Sequence, residues 1–307
     1  MLAVLTVVLT GIRVRPLALP ATDARAIAGA RVGSSAAAAY PLSVAWLQDH
    51  PSPPVDVKGL SAILVDVHTH EVLWERDADS VRAPASLTKL VTAMVVADHV
   101  RSLDQLVKVA PGADVQAIQQ IEPDSTVMGI HSGEVWTVRD LLTGLFLLSG
   151  NDAAEALAQG IGMPRDSFIQ LMNEKAQAIG MRNSHFTSPV GLDAPSMYSS
   201  ADDLAVAGYT IDTKYPQLVA ISDQPQMSLP ATATHQAVSG VNWLHSFFQG
   251  YAGATGMKTG FTDNAGGCTV ATATRGDRRL IAVVMHSDNF VIDAEHLLDY
   301  GFSVNPS

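Results

Sequence analysis

Strand-forming sequence lies at the two ends of this chain, and helix-forming sequence lies between them. Near the start, residues 61–67 are rich in Ile, Leu and Val, and residues 72–75 follow after a short polar turn, which predicts a β-hairpin. Near the end, residues 255–261, 267–274 and 279–286 read as three strands. The last two are joined by Arg275-Gly276-Asp277-Arg278, a hairpin turn. The middle is helical. An apolar helix follows Leu90, and Thr137 to Asp140 has capping-box spacing ahead of Leu141, Leu142, Leu145 and Leu148. Another helix starts at Asn151, one opens at Pro164 and ends at Gly180, and Ser200 caps a further helix to about residue 211. A closing helix covers 294–300. An isolated two-stranded hairpin is marginal in water. The economical arrangement is therefore an α+β sandwich: one mostly antiparallel sheet built from both ends, flanked by helices, with an inserted helical lobe. A chain of 307 residues has enough length for such a core.

The segment before residue 57 is different. An apolar stretch, residues 2–12, is followed by Arg13 and Arg15 and then by small residues, so 1–30 is expected to be a signal-like or anchor leader. Residues 31–56, rich in Ala, Ser and Pro and ending in His50-Pro51-Ser52-Pro53-Pro54, read as a linker. Residues 57–303 would form the folded domain. A formal net charge of −11 argues against nucleic-acid binding and against attachment to anionic lipid. The single cysteine, Cys268, sits in an apolar run and is expected in the core.

The most informative turn is Pro84-Ala85-Ser86-Leu87-Thr88-Lys89-Leu90. Ser86 and Lys89 are three residues apart, so a helix places both on one face. Ser86 would sit at the helix start, where free backbone N–H groups favour a developing oxyanion. Lys89, with its pKa lowered by burial or by a second cation, could take the serine proton. Two further elements fit. Ser149-Gly150-Asn151 lies at a helix–helix corner, where the hydroxyl can relay a proton and the amide can hold a substrate carbonyl or the lysine amine. Lys258-Thr259-Gly260 lies on a strand, where a cation beside a hydroxyl suits a carboxylate and the glycine lets substrate backbone approach.

Ser-x-x-Lys, Ser-x-Asn and Lys-Thr-Gly in this order resemble the motif set of penicillin-binding proteins and serine β-lactamases. The stretches 84–90, 148–154 (Leu-Ser-Gly-Asn-Asp-Ala-Ala), 186–192 (Phe-Thr-Ser-Pro-Val-Gly-Leu), 198–204 (Tyr-Ser-Ser-Ala-Asp-Asp-Leu) and 256–262 (Gly-Met-Lys-Thr-Gly-Phe-Thr) resemble the D-alanyl-D-alanine carboxypeptidases, the S11 serine peptidases. The resemblance runs over roughly residues 57–303 and implies the β-lactamase/transpeptidase-like fold. It implies Ser86 as the nucleophile that forms an acyl-enzyme, Lys89 as general base and Ser149 as proton relay. It implies Asn151, Lys258, Thr259, Gly260 and Phe261 as substrate-binding residues, with the N–H groups of Ser86 and Phe261 as oxyanion hole. The partners it implies are a peptidoglycan stem peptide and, as inhibitors, β-lactams. No cofactor or metal is implied. Action is expected outside the cytoplasmic membrane of a bacterium. The sequence ends soon after Phe302, so membrane contact is expected only through the N-terminal segment.

Three departures stand out. Residues 114–130 are poor in glycine and are expected near the cleft rim. Met197 stands where the family often has histidine, and His70 where a hairpin glycine is usual. The alternatives are a serine β-lactamase, a catalytically silent peptidoglycan-binding protein, or cross-link endopeptidase activity. The first lacks a Glu-x-x-Leu-Asn segment here. Glu155 and Glu174 are the only glutamates between Asn151 and Lys258. Both read as helix-surface charges, and Asp152 reads as a helix-start charge. His68 and His70 flank a turn without further ligands nearby, and the other histidines are scattered.

Overall fold

The structure is a computed structural model and describes residues 40–305. The leader, residues 1–30, lies outside the described residues. In chain order the elements are α1 (Ala45–Asp49), β1 (Ser61–Asp66), β2 (Val72–Arg76), a 3-10 turn (Ala85–Thr88) running into α2 (Lys89–His99), β3 (Leu106–Lys108), α3 (Val115–Ile121), β4 (Val135–Thr137), α4 (Val138–Leu147), α5 (Asn151–Gly160) and α6 (Arg165–Ile179). There follow α7 (Ala201–Lys214), α8 (Pro216–Ser222), β5 (Gln226–Leu229), β6 (Val238–Val241), α9 (His245–Gly250), β7 (Ala254–Thr262), β8 (Gly266–Arg275), β9 (Arg278–Met285) and α10 (Phe290–Ser303).

The main sheet has the order β2-β1-β9-β8-β7, and every pairing in it is antiparallel. The two chain ends meet where β1 pairs with β9, Ser61 opposite Met285 and Asp66 opposite Leu280. Both faces are covered, so the inner strands carry near-continuous apolar runs rather than an in–out alternation. On β1 and β9, Ile63, Val65, Ile281, Val283 and Met285 face the large core shared with the helical lobe. Ala62, Leu64, Leu280, Ala282 and Val284 face a second core, closed by α9 and α10 through Phe247, Leu297 and Leu298. Cys268 is fully buried in the first core.

Caps follow the sequence. Thr137 accepts the Asp140 N–H at the head of α4, Ser200 accepts the Asp203 N–H at the head of α7, and Gly180 ends α6 at φ +96°. His70 takes φ +64°, the left-handed conformation that favours glycine, in a turn whose Asp66 carboxylate accepts the N–H groups of His68 and Thr69. The departure at His70 is not confined to the turn: the His70 ring also packs edge-on against Tyr209, with centroids 5.4 Å apart, and the His70 carbonyl accepts the Ser43 N–H at 2.7 Å.

Two regions differ from the sequence reading. Residues 40–56 are docked on the domain. Ser43 pairs with Glu71, the Trp74 indole donates to the Pro53 carbonyl at 2.8 Å, and Tyr40 hydrogen-bonds Asp202. Pro and Ser suppress regular structure there without preventing this packing, so the described fold reaches back beyond residue 57. The stretch 212–253 also carries α8, the β5–β6 hairpin and α9, none of which the sequence announces. They are short, and within β6 Gly240, paired with Met227, packs so closely on Leu148 that a Cβ would stand 2.5 Å from that side chain.

Candidate active site

Ser86 lies in the 3-10 turn and Lys89 is the first residue of α2. The residue before the serine, Ala85, is held at φ +47°, an uncommon conformation for a side chain other than glycine. Strain of this kind persists only where surrounding structure imposes it. Gly191 packs directly on this residue: at φ +92° it comes so close that a Cβ would stand 1.9 Å from the Ala85 carbonyl oxygen. The neighbouring Pro189 carbonyl accepts from Thr92 Oγ1 at 2.7 Å, fixing the 186–192 loop to α2.

The Lys89 amine lies 2.7 Å from Ser86 Oγ, 2.7 Å from Asn151 Oδ1 and 3.0 Å from the Val190 carbonyl oxygen. Lys89 is fully buried. Burial first, and the nearby Lys258 cation second, hold its pKa well below the usual lysine range, against the opposing pull of Asp152 and Glu155. A neutral amine has two N–H groups and one lone pair. Asn151 Oδ1 and the Val190 carbonyl can only accept, so they take the two N–H groups. The lone pair is left for the Ser86 hydroxyl.

β7 forms the opposite wall as an edge strand of the sheet. Lys258 is buried and donates to the Thr259 carbonyl at 2.8 Å, and burial lowers its pKa to about 7. Gly260 lies directly against the nucleophile: a Cβ there would stand 2.8 Å from the Ser86 nitrogen. Thr259 is nearly buried, whereas the Phe261 side chain is exposed. The next residue, Thr262, donates to Asp193 Oδ1 at 2.8 Å, which ties the end of β7 to the loop that carries Val190 and Gly191.

The corner between α4 and α5 supplies Ser149 and Asn151. Ser149 is buried at φ +57°, a second left-handed residue at the site. It is not among the partners of Lys89. Gly150 is required by close approach, since a Cβ would stand 2.9 Å from Asp152 Oδ1 and 3.1 Å from the Met128 nitrogen.

The structure therefore brings Ser86, Lys89, Asn151, Lys258 and Gly260 together, with Ser149 and Thr259 beside them. Two acidic residues differ from expectation. Asp152 does start a helix, but its carboxylate also accepts the N–H groups of Met128 (2.7 Å), Gly129 (2.7 Å) and Ile130 (3.1 Å), clipping that segment to the corner. Burial raises its pKa despite these bonds. Glu155 is not a surface charge. It is buried and held by Arg165 through two bonds of 2.8 and 2.7 Å. Glu174 is exposed, as its helical position suggested. Val190, Asp193 and Asp152 were not singled out from sequence as functional. Their contributions are a backbone carbonyl and two turn-holding carboxylates, and only their neighbourhood in the 148–154 and 186–192 stretches pointed to them. Met197, where the resemblance led to an expectation of histidine, accepts the Thr187 N–H on sulfur at 3.3 Å, within the same loop. Among the described residues, no group of three His, Cys, Asp or Glu side chains is placed to hold a metal.

The profile of the peptidase S11 family, described as D-alanyl-D-alanine carboxypeptidase, matches residues 48–289. The D-alanyl-D-alanine carboxypeptidase DacA of Escherichia coli is 34% identical over 264 residues, covering 83% of this chain and 64% of its own length. The chain thus spans just under two thirds of that relative. DacB2 of Mycobacterium tuberculosis is 35% identical over 252 residues, covering 80% of this chain and 82% of its own length. Among solved structures, penicillin binding protein 6B of Escherichia coli superposes with a TM-score of 0.75 at 32% identity, covering 86% of this chain and 82% of that one. The antiparallel sheet with its helical lobe is the fold of these proteins, and the chain belongs to the peptidase S11 family of D-alanyl-D-alanine carboxypeptidases.

Proposed function

We propose that this protein is a serine-type D-Ala-D-Ala carboxypeptidase that removes the terminal D-alanine from peptidoglycan stem pentapeptides and is acylated by penicillins. The observation that carries the reading is the proton arrangement at Lys89: a buried amine of lowered pKa, two carbonyl acceptors, and a lone pair facing the Ser86 hydroxyl at 2.7 Å. Lys89 takes the Ser86 proton as Oγ attacks the carbonyl carbon of the penultimate D-alanine. The oxygen of that carbonyl gains negative charge against the N–H groups of Ser86 and Phe261. The Lys89 ammonium gives the proton taken from Ser86 back through Ser149 to the departing amine, the C–N bond breaks, and D-alanine leaves with Lys89 neutral again. Lys258 and Thr259 hold the terminal carboxylate beforehand, and Asn151 orients both Lys89 and the acyl chain. Water then cleaves the ester. A β-lactam ring opens by the same attack, but its leaving group stays tethered and the ester persists. The reading as β-lactamase has no support in Glu155, which is engaged by Arg165. This substrate places the protein outside the cytoplasmic membrane. Among the described residues no helix is long and apolar enough to cross a membrane.

The test is intact-protein mass after brief exposure to a penicillin, with Ser86→Ala as control and D-alanine release from a pentapeptide followed in parallel. A lasting adduct on the wild type alone, with D-alanine released, is the expected result. Rapid penicillin hydrolysis without an adduct would indicate a β-lactamase, and neither adduct nor turnover a silent binding protein.

The two lysines set the pH profile in opposite senses. Lys89 must be neutral, so kcat/KM falls as acidification protonates it. Lys258 must be charged, and its pKa of about 7 means that carboxylate binding weakens above that value. We expect KM for the peptide to rise from pH 7 to 9 while kcat changes little. In Lys258→Arg, which stays charged throughout, that rise should disappear.

A further inference from the structure

The Asn151 side chain has two nearly isosteric ends, and only one of them suits the chemistry. With Oδ1 towards Lys89, the amide accepts an N–H and leaves the amine lone pair to Ser86. With Nδ2 towards Lys89, the amide would donate into that lone pair and withdraw it from the serine. Lys89 takes the Oδ1 end at 2.7 Å. The other end, Nδ2, donates to Ser125 Oγ at 3.1 Å. Ser125 belongs to the glycine-poor 114–130 excursion, outside the three motifs, and is half-buried.

Within the excursion the Ser125 N–H donates to the Glu122 carbonyl at 3.1 Å, and the excursion is in turn attached to the corner. The Asn151 N–H donates to the Thr126 carbonyl at 2.9 Å, and Thr126 Oγ1 donates to the Ser149 carbonyl at 2.9 Å. The Asp152 carboxylate then gathers the three consecutive N–H groups of residues 128–130. Three corner residues, Ser149, Asn151 and Asp152 with only Gly150 between them, thus grip the segment that carries Ser125.

We infer that Ser125 is a positioning residue for acylation: its hydroxyl fixes the Asn151 amide with the carbonyl end on Lys89, and the Asp152 clip keeps Ser125 in place. This rests on the serine–lysine reading above. Without the hydroxyl, Nδ2 loses its partner at the rim and the amide plane is free to turn.

The experiment compares Ser125→Ala and Ser125→Thr with the wild type. The readouts are the rate of acylation by a fluorescent penicillin and kcat and KM for D-alanine release. The two side-chain amide proton signals of Asn151, assigned by their loss in Asn151→Ala, are followed by NMR. Ser125→Ala should acylate about tenfold more slowly, equivalent to roughly one hydrogen bond, with KM changed less than about twofold. Ser125→Thr should stay within about twofold of the wild type, and the Asn151 amide signals should shift in Ser125→Ala only. Wild-type acylation by Ser125→Ala, or a Ser125→Thr as slow as Ser125→Ala, would overturn the inference. If the wild type shows neither penicillin adduct nor D-alanine release, the carboxypeptidase reading fails. Ser125 is then judged on the amide signals alone, and unshifted signals in Ser125→Ala would reject its role.

Discussion

Lys89→Met should lower the rate of Ser86 acylation by a factor on the order of 10² to 10⁴, the range for losing a positioned general base. Methionine matches the length and volume of the lysine stem, so Ser86 keeps its place and only the lone pair is removed. Burst-phase acylation by a fluorescent penicillin reads the change directly. Stability should move the other way. The folded protein holds Lys89 at a lowered pKa, so the unfolded chain binds the proton more readily. The wild type therefore gains stability as pH rises from the folded pKa towards the ordinary lysine value, and the methionine variant lacks this dependence. Relative to the wild type, the variant's Tm should be more favourable at pH 5 than at pH 9. A variant that acylates normally would remove Lys89 from the chemistry.

Gly191→Ala should damage both fold and site. The residue is at φ +92°, and the new methyl would lie 1.9 Å from the Ala85 carbonyl oxygen and 2.8 Å from Thr88 Oγ1. The nearer obstacle is backbone, so no rotamer change relieves it. Left-handed strain and overpacking each cost about 1–3 kcal/mol, which together predicts a loss of roughly 3–5 kcal/mol. Chemical unfolding would measure that loss. Acylation should fall even in the folded fraction, because any shift of Ala85 moves Ser86 and any shift of residue 191 moves the Val190 carbonyl away from Lys89. Near-native stability with near-native acylation would show that the loop yields easily and that its packing does not set the serine.

Residues proposed to act through their own side chains are the ones legible in the sequence: Ser86, Lys89, Asn151 and Lys258 carry the motifs, and the structure places them close together, with Gly260 against the Ser86 nitrogen. The strand–helix–strand order is legible for the same reason that both sheet faces are covered, since the strands read as apolar runs. Groups that act through the backbone or through burial are not. The Val190 carbonyl has no side-chain mark. Glu155 occupies an ordinary helical position, and only the approach of Arg165 shows that it is buried and paired. Asp152 takes its second role from residues 128–130, more than twenty positions away. Residues 40–56 look like a linker by composition, yet Trp46 and the Pro53 carbonyl pack on the domain. The β5–β6 hairpin is hidden by its small, polar residues, whose fit depends on Leu148 across the fold.

The meeting of the chain ends at β1 and β9 has a consequence for how the protein is made. The β1–β2 hairpin is synthesised early, but the strand that covers its inner edge comes about 220 residues later. At about 5–20 residues per second, a nascent chain carries that open apolar edge for roughly 10 to 45 seconds. An unpaired edge is a template for pairing with other chains. Contacts so distant in sequence also close slowly, because the whole intervening lobe must be looped out first. A product truncated before β9 would therefore be more than inactive. It would hold a permanent unpaired edge on the nucleophile's side of the chain, and aggregation rather than a soluble half-enzyme is its expected fate.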